Sequence, residues 1–264
     1  MSSLGELSSL LGYVSASSAE PAPDRTVSVV SLNTAKETNP GKIVRAIHDA
    51  PRLRDADLFL FQEVAHTESN LSVAEETARR LGYFALFEPA APGVFDQGLA
   101  LVSRYPIDNF QIKRLKTCDL GFRDRKRFAV SATVRTPWGD LRVWNAHLDT
   151  RINAAERLKQ LRPVIGEASR HAGPRLIGGD FNTNDLYWLK NMLPLPGGPS
   201  HGAAIRRVMR QCGFETPLPE NLNTFPMFRR HLDWIFLRDL RSLAVSVEPV
   251  PFSDHHAIWV RVHL

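Results

Sequence analysis

Residues 174–182 read PRLIGGDFN, and this stretch carries the strongest indication of the fold. An apolar run typical of a buried strand stops at two glycines and is followed by Asp180 and Asn182. The same arrangement, with polar groups where an apolar strand ends, recurs along the chain at Asn33, Glu63, His147 and Asp233, and Asp254 and His255 precede the last strand. Sheet ends are where α/β proteins build their sites. The repetition therefore predicts a site assembled from the ends of several strands, although any one of these residues alone is typical of a turn.

Strand-like and helix-like segments alternate from Arg25 onward, without internal repeats. Apolar runs at 26–33 and 57–64 predict two buried strands, five further strands follow between 83 and 149, and three close the chain. Helical spacing predicts helices at 42–50, 72–81 and 154–169, with short helices near 185–192 and 203–212. This order predicts an α/β four-layer sandwich, two packed mixed β-sheets flanked by helices, in one domain spanning 25–264. Residues 1–24 are predicted to be a flexible tail.

The bulk composition excludes several classes of protein. The 264 residues include 33 Lys and Arg against 28 Asp and Glu, a mild positive excess that favours polyanions or an anionic membrane surface without identifying either. Cys118 and Cys212 are the only cysteines, which excludes a disulfide framework and a Cys-rich zinc site. No apolar run reaches the roughly 18 residues of a spanning helix, and no basic signal head is present, so we expect a cytoplasmic protein.

The polar set favours one kind of chemistry. Carboxylate and amide oxygens without thiolates are typical ligands of a hard cation such as Mg²⁺ or Mn²⁺. Histidines with nearby carboxylates supply acid–base or phosphate-stabilising groups. The sequence lacks the GxGxxG, GxxxxGK[ST] and GxSxG motifs of dinucleotide, nucleotide and serine-hydrolase sites. Together these features favour metal-assisted transfer of a phosphoryl group to water.

An ordered series of short motifs resembles the endonuclease/exonuclease/phosphatase superfamily over residues 26–264. The motifs are SLN (31–33), FQEV (61–64), QGLALVSRYPI (97–107), NAHLD (145–149), GGDFNT (178–183), LDWIF (232–236) and SDHHAI (253–258). The resemblance implies the four-layer sandwich and divalent-metal hydrolysis of phosphoesters.

The resemblance also implies a role for each matched residue. Glu63 is implied as the principal metal ligand, with Asn33 beside it and Asp254 as a metal or supporting group. Asp180 and Asn182 are implied to orient the attacking water and hold the phosphate. His255 is implied as a base or transition-state donor assisted by Asp233.

Three departures from the repair-endonuclease pattern make an abasic-site enzyme an unfavoured branch. His147 stands where those enzymes have a tyrosine, and Asp96 stands near the position of a second tyrosine. The SLNTA stretch lacks the acidic residue that those enzymes often have two positions after the asparagine. The histidine version is similar to deoxyribonucleases and sphingomyelinases. We hypothesise that Asp96 pairs with His147, with a simple turn residue as the alternative.

The substrate-facing loops leave more alternatives open. DLGFRDRKRF (119–128) is basic, and the resemblance weakly implies that Arg127, or else Arg125, contacts phosphate. Such loops are equally typical of solvated surface. Tyr187 and Trp188 are predicted to pack in a short helix, with contact to a base or a lipid as the alternative.

These inferences lead to one expected function and two alternatives. We expect a monomeric, Mg²⁺-dependent phosphodiesterase that acts on a phosphoester substrate, with nucleic acid favoured. A phospholipid or phosphoinositide hydrolase with peripheral membrane contact is the alternative. A catalytically inactive scaffold is disfavoured because every motif position expected to carry a metal ligand or a catalytic histidine does so in this sequence.

Overall fold

The computed structural model describes residues 25–66, 71–90, 98–118 and 127–264 of the chain. Its strands are β1 (Thr26–Asn33), β2 (Leu58–Val64), β3 (Phe84–Glu88), β4 (Gly98–Ser103), β5 (Ile107–Arg114), β6 (Phe128–Thr136), β7 (Gly139–His147), β8 (Arg175–Asp180), β9 (Tyr187–Leu189), β10 (Leu193–Leu195), β11 (Asp233–Arg238), β12 (Arg241–Glu248) and β13 (Ala257–His263). Its helices are α1 (Pro40–Asp49), α2 (Pro51–Arg54), α3 (Val73–Leu81), α4 (Ala154–Arg170) and α5 (His201–Gln211), with a 3₁₀ turn at Pro226–Phe228.

The strands form two large mixed sheets. The first has six strands in the order β12-β13-β1-β2-β4-β3, and the second has five in the order β11-β8-β7-β6-β5. Within each sheet one central pair is parallel, β1 with β2 and β7 with β8. The other neighbours in these two sheets are antiparallel. The carboxyl ends of β1 and β2, and those of β7 and β8, therefore lie side by side.

The two sheets pack face to face, and helices cover their outer faces. Leu60, Trp144, Ile177 and Ile258 are among the buried side chains of the larger apolar cluster, which also takes in α4 and α5. A second cluster joins the outer face of the first sheet to α1, α2 and α3. Strands buried on both faces explain the continuous apolar runs in the sequence. The predicted α/β sandwich of two packed mixed sheets is confirmed.

A buried pair of amides connects the two sheets near the strand ends. The Nε2 of Gln62, on β2, donates to the Oδ1 of Asn145, on β7, at 2.8 Å. The Nδ2 of Asn145 in turn donates to the backbone oxygens of Phe61 at 2.9 Å and Ala100 at 3.1 Å. Both side chains are fully buried. In a dry interior such bonds hold partners in one geometry, because the alternative is an unpaired polar group.

The short helix expected near 185–192 is wrong, because this segment forms a β-hairpin. Leu189 pairs with Leu193 and Tyr187 with Leu195 across β9 and β10. Lys190 and Asn191, with φ of 50° and 56°, make the tight turn between them. Two prolines, Pro194 and Pro196, disfavour a continued helix. Tyr187 and Trp188 therefore lie on a strand and do not pack in a helix.

Candidate active site

Three predicted site residues lie in one row across the second sheet. The parallel register of β7 and β8 places His147 opposite Asp180, and the antiparallel register of β8 and β11 places Asp233 on its other side. Residues in register on adjacent strands share a face of the sheet. All three are buried, and the Nε2 of His147 lies 3.4 Å from the Oδ2 of Asp180.

The row depends on the glycine before Asp180. Gly179 has φ of +135°, a region that favours glycine, and a Cβ on it would lie 1.9 Å from the backbone oxygen of Ala146. The second glycine of the GGDFN motif is therefore required because any side chain there would collide with the backbone of β7. Without that glycine, β8 cannot lie so close to β7 and carry Asp180 beside His147.

The first sheet contributes Asn33 and Glu63 to the same place. Asn33, the last residue of β1, donates from Nδ2 to the Oδ2 of Asp180 at 3.0 Å, across the space between the sheets. Glu63 lies at an irregularity of β2 with φ of 50°, a left-handed backbone that is uncommon outside glycine. Its Oε1 lies 3.9 Å from the Nε2 of His147. Backbone strain of this kind is concentrated at functional sites.

His255 is held by Asp233. The two side chains share a hydrogen bond of 2.9 Å between Nδ1 and Oδ2, which directs the Nε2 of His255 to within 4.0 Å of the Oδ2 of Asp180. Burial by itself lowers the pKa of His255, but the charge and hydrogen bond of Asp233 outweigh it and raise the pKa to about 10. Without a bound cation, His255 is thus protonated at neutral pH and carries a donor toward Asp180.

Asp180 is the centre of the site. Besides the bond from Asn33, its Oδ1 accepts from the backbone N–H of Asn182 at 2.8 Å. Burial and the charge of Asp233 raise the pKa of Asp180 to about 7. Asn182, with φ of 52°, directs its Nδ2 to the backbone oxygen of Leu148 at 3.0 Å. The GDFN turn is therefore tied to both neighbouring strands.

The donor atoms fit a divalent cation. Asp180, Asp233 and His255 offer donor atoms that lie within 4.8 Å of one another. The Oδ1 of Asp233 is buried and has no hydrogen-bond partner among the described residues, and a buried carboxylate oxygen normally has one. The Oδ2 of Asp180 lies 3.4 Å from the Nε2 of His147 and 4.0 Å from that of His255, so both histidines lie beside the carboxylates that would hold the cation. The oxygen-rich donor set suits Mg²⁺ or Mn²⁺.

The remaining predicted residues are not part of this central group. Asp254 is exposed at the bend before β13, and its charge helps to raise the pKa of His255. Arg127 is buried and donates from Nε to the Oδ1 of Asp149 at 2.9 Å, while its Nη2 is buried without a hydrogen-bond partner among the described residues. The metal role of Asp254 and the phosphate role of Arg127 stay predictions. Asp96 and Arg125 lie outside the described residues, as does the predicted tail at 1–24.

Several residues that support the site were not singled out from the sequence. Thr224, fully buried, accepts at Oγ1 from the backbone N–H groups of Leu232 and Asp233 at 3.0 and 3.2 Å. Ser253 donates to the backbone oxygen of Asn33 at 2.7 Å and accepts from the N–H of His255 at 3.0 Å. Ser253 belongs to the quoted SDHHAI motif, so its position was a usable signal. Thr224 carries no such signal, because a lone threonine in a loop is common.

Comparison with known proteins identifies the family of the chain. The model of the Endonuclease/Exonuclease/phosphatase family matches residues 30–255. Among curated proteins, the UPF0294 protein YE0917 of Yersinia enterocolitica is 28% identical over 217 residues, which covers 78% of this chain and 73% of that protein.

Solved structures share the fold at low identity. The endonuclease/exonuclease/phosphatase from Beutenbergia cavernae is 20% identical with a TM-score of 0.73, covering 91% of this chain and 72% of its own. D. rerio TDP2, solved as a complex with a single-strand DNA product, is 16% identical with a TM-score of 0.62, covering 91% of this chain and all of its own. At such identities the likeness concerns the fold alone.

Proposed function

The chain belongs to the endonuclease/exonuclease/phosphatase family of phosphoester hydrolases, and on that premise we propose that it hydrolyses phosphodiesters with the help of a divalent cation. The observation that carries the proposal is the buried group of Asp180, Asp233 and His255, whose donor atoms lie within 4.8 Å of one another. Buried charges are costly unless they are paired or bind a metal, and such groups are concentrated at functional sites.

The residues that would hold the cation are the carboxylates around the centre of the site. Asp180, with Glu63 and Asp233, offers the oxygen atoms that Mg²⁺ and Mn²⁺ prefer. When bound, the cation supplies positive charge to a phosphoryl oxygen and so lowers the cost of the charge that develops there. Asn33 holds the Oδ2 of Asp180 in place through its 3.0 Å bond.

The remaining groups surround the place where a phosphodiester would react. Asp180, held by Asn33 and Asn182, accepts the proton of the attacking water while the new oxygen–phosphorus bond forms and the bond to the leaving oxygen breaks. His255, oriented by Asp233, donates from Nε2 to the departing oxygen. His147, whose Nε2 is 3.4 Å from Asp180, donates to a non-bridging oxygen. Proton transfer from Asp180 to His255 then restores both groups.

Nucleic acid is the substrate class that we propose first. The chain has a net charge of +5, which favours polyanions. D. rerio TDP2, which shares the fold, has been solved with a single-strand DNA product. A phospholipid is a second candidate substrate, because the exposed hairpin β9–β10 is apolar: Leu193 is 54% exposed and Met192 58%.

The test uses the purified protein with supercoiled plasmid and with bis(4-nitrophenyl) phosphate, in Mg²⁺ or Mn²⁺ and in EDTA. We expect hydrolysis that EDTA abolishes and that His255→Ala and Asp180→Asn each reduce at least about 100-fold. His256→Ala is the matched control, since His256 is the next residue and contacts Thr224 through its backbone N–H. The proposal fails if neither substrate is hydrolysed, or if His256→Ala loses as much activity as His255→Ala.

A further inference from the structure

The β9–β10 hairpin presents an apolar face that no other described part of the chain covers. Side chains alternate along a strand, so Tyr187 and Leu189 share one face with their cross-strand partners Leu195 and Leu193. These four side chains are 37 to 54% exposed, and Met192 beside the turn is 58% exposed. We call these five residues the hairpin face. Large apolar side chains in one contiguous exposed patch mark an interaction surface more often than singly scattered ones do.

The hairpin is anchored to the domain through the backbone of β9. Trp188 points away from the hairpin face, its backbone N–H donates to the Oδ1 of Asn153 at 2.8 Å, and Asn153 donates back to its carbonyl at 3.0 Å. At the base, a Cβ on Gly198 would lie 2.6 Å from the backbone of Leu186 and Tyr187, so the chain there is closely packed. The hairpin face is therefore presented by a pre-ordered element, which lowers the entropy cost of binding.

A second exposed apolar turn borders a cleft that also reaches the base of the hairpin. Met227 is 69% exposed and Phe228 61%. The cleft, of about 830 Å³, is lined by Phe228 and by Leu186 and Pro196, which flank the hairpin. The ring of Phe228 lies 5.8 Å from that of Phe225, which in turn lies 5.0 Å from the ring of His255. The 226–228 turn therefore lies next to the active site, and the base of the hairpin borders the same cleft.

The chemistry of this surface favours a lipid bilayer over a nucleic acid. Its exposed side chains are mostly aliphatic, whereas bases stack on aromatic rings. Exposed cations lie among them: Lys190 in the hairpin turn, Arg229 after the 226–228 turn, and Arg151 beside Trp188. Among the described residues that line the cleft, the exposed acidic ones are Asp185 and Glu220, and Glu220 already lies 3.3 Å from Arg206. Apolar side chains ringed by cations complement an anionic membrane surface.

We propose that the hairpin face and the 226–228 turn dock this protein on an anionic phospholipid bilayer, with the active site next to the lipid headgroups. The docking needs neither a cation nor the catalytic groups. It therefore goes beyond the proposed hydrolysis, and the two can be tested separately.

The experiment is sedimentation of the full chain with vesicles of phosphatidylcholine, with and without phosphatidylglycerol, in EDTA so that metal-dependent hydrolysis is absent. We expect binding to the phosphatidylglycerol vesicles that weakens with salt. The double variant Met192→Ser/Leu193→Ser should bind at least about tenfold more weakly, because two exposed side chains lose their apolar contact. The matched control is Leu243→Ser, since Leu243 is 44% exposed on β12 and is not part of the hairpin face. Its binding should match that of the wild type.

Each other outcome overturns the docking proposal. If the wild-type protein stays in the supernatant, the bilayer is excluded as the binding partner. If Leu243→Ser weakens binding as much as the double variant does, nonspecific hydrophobic adsorption explains the sedimentation. A hairpin-dependent dimer, or hairpin-dependent binding to a DNA oligonucleotide, without vesicle binding assigns the surface to that partner instead. Hydrolysis of bis(4-nitrophenyl) phosphate is followed separately, with the same purified proteins in Mg²⁺ and without EDTA. Its absence overturns the proposed hydrolase and leaves the docking result standing, and equal activity in the double variant shows that its site is intact.

Discussion

Replacing Asn145 with leucine should show how much the buried amide pair between the sheets contributes. The substitution removes three hydrogen bonds, from Gln62 at 2.8 Å and to the backbone oxygens of Phe61 and Ala100 at 2.9 and 3.1 Å. At about 1 kcal/mol each, the bonds account for about 3 kcal/mol. The two carbonyl oxygens left without that donor add about 1–2 kcal/mol, and the apolar leucine recovers about 1 kcal/mol. We expect a net loss of about 3–4 kcal/mol in the free energy of unfolding.

The assay is equilibrium unfolding in urea followed by circular dichroism, with the midpoint shifting while the slope stays constant. Gln111→Leu is the matched control, because Gln111 is an exposed amide on β5 and its replacement should change stability by less than about 0.5 kcal/mol. Activity should fall as well, since Glu63 follows Gln62 and His147 lies two residues after Asn145. A destabilisation below about 1 kcal/mol, or one equalled by Gln111→Leu, would refute the claim that these amides hold the sheets in register.

Three further predictions concern single residues. Gly179→Ala should abolish soluble expression or lower the free energy of unfolding by more than about 4 kcal/mol, because its Cβ would lie 1.9 Å from the oxygen of Ala146; a normal melting temperature would contradict the steric argument. Burial, and secondly the charge of Arg157, lower the pKa of His201 to about 4, so below pH 6.5 the unfolded chain binds a proton that the folded chain excludes. His201 should therefore contribute a drop of about 2 kcal/mol in the free energy of unfolding between pH 8 and pH 5, so the total drop should be smaller by that amount in His201→Gln; a urea series in which this variant shows the same drop as the wild type would exclude His201 as a cause. Glu63→Gln should raise the Mg²⁺ concentration for half-maximal hydrolysis at least about tenfold with unchanged thermal stability, and an unchanged requirement for the cation would remove Glu63 from the ligand set.

Much of the architecture was predictable from local patterns. The strands predicted at 26–33 and 57–64 are confirmed as β1 and β2, and both are buried on both faces. The helix expected near 185–192 is wrong. Its apolar residues are exposed on a hairpin, and an apolar run by itself does not distinguish a buried helix from a surface strand.

None of the helices in the described part of the chain combines the length and the apolar character that a membrane-spanning helix needs.

Local residue patterns identified most of the strands, the polar residues that end them, and the family that the motifs resemble, but they missed the β9–β10 hairpin. They did not determine which strand ends meet. Asn33 and Asp180 are 147 positions apart in the chain and are joined by a 3.0 Å bond only because two sheets pack face to face. The row of His147, Asp180 and Asp233 likewise depends on strand register, and the pairing of Asp233 with His255 depends on the start of β11 lying beside the bend before β13. The local pattern of apolar and polar side chains predicts whether a segment is a helix or a strand and which of its faces is buried. Strand register and the packing of the two sheets depend on contacts between segments far apart in the sequence, so they become visible only in the folded structure.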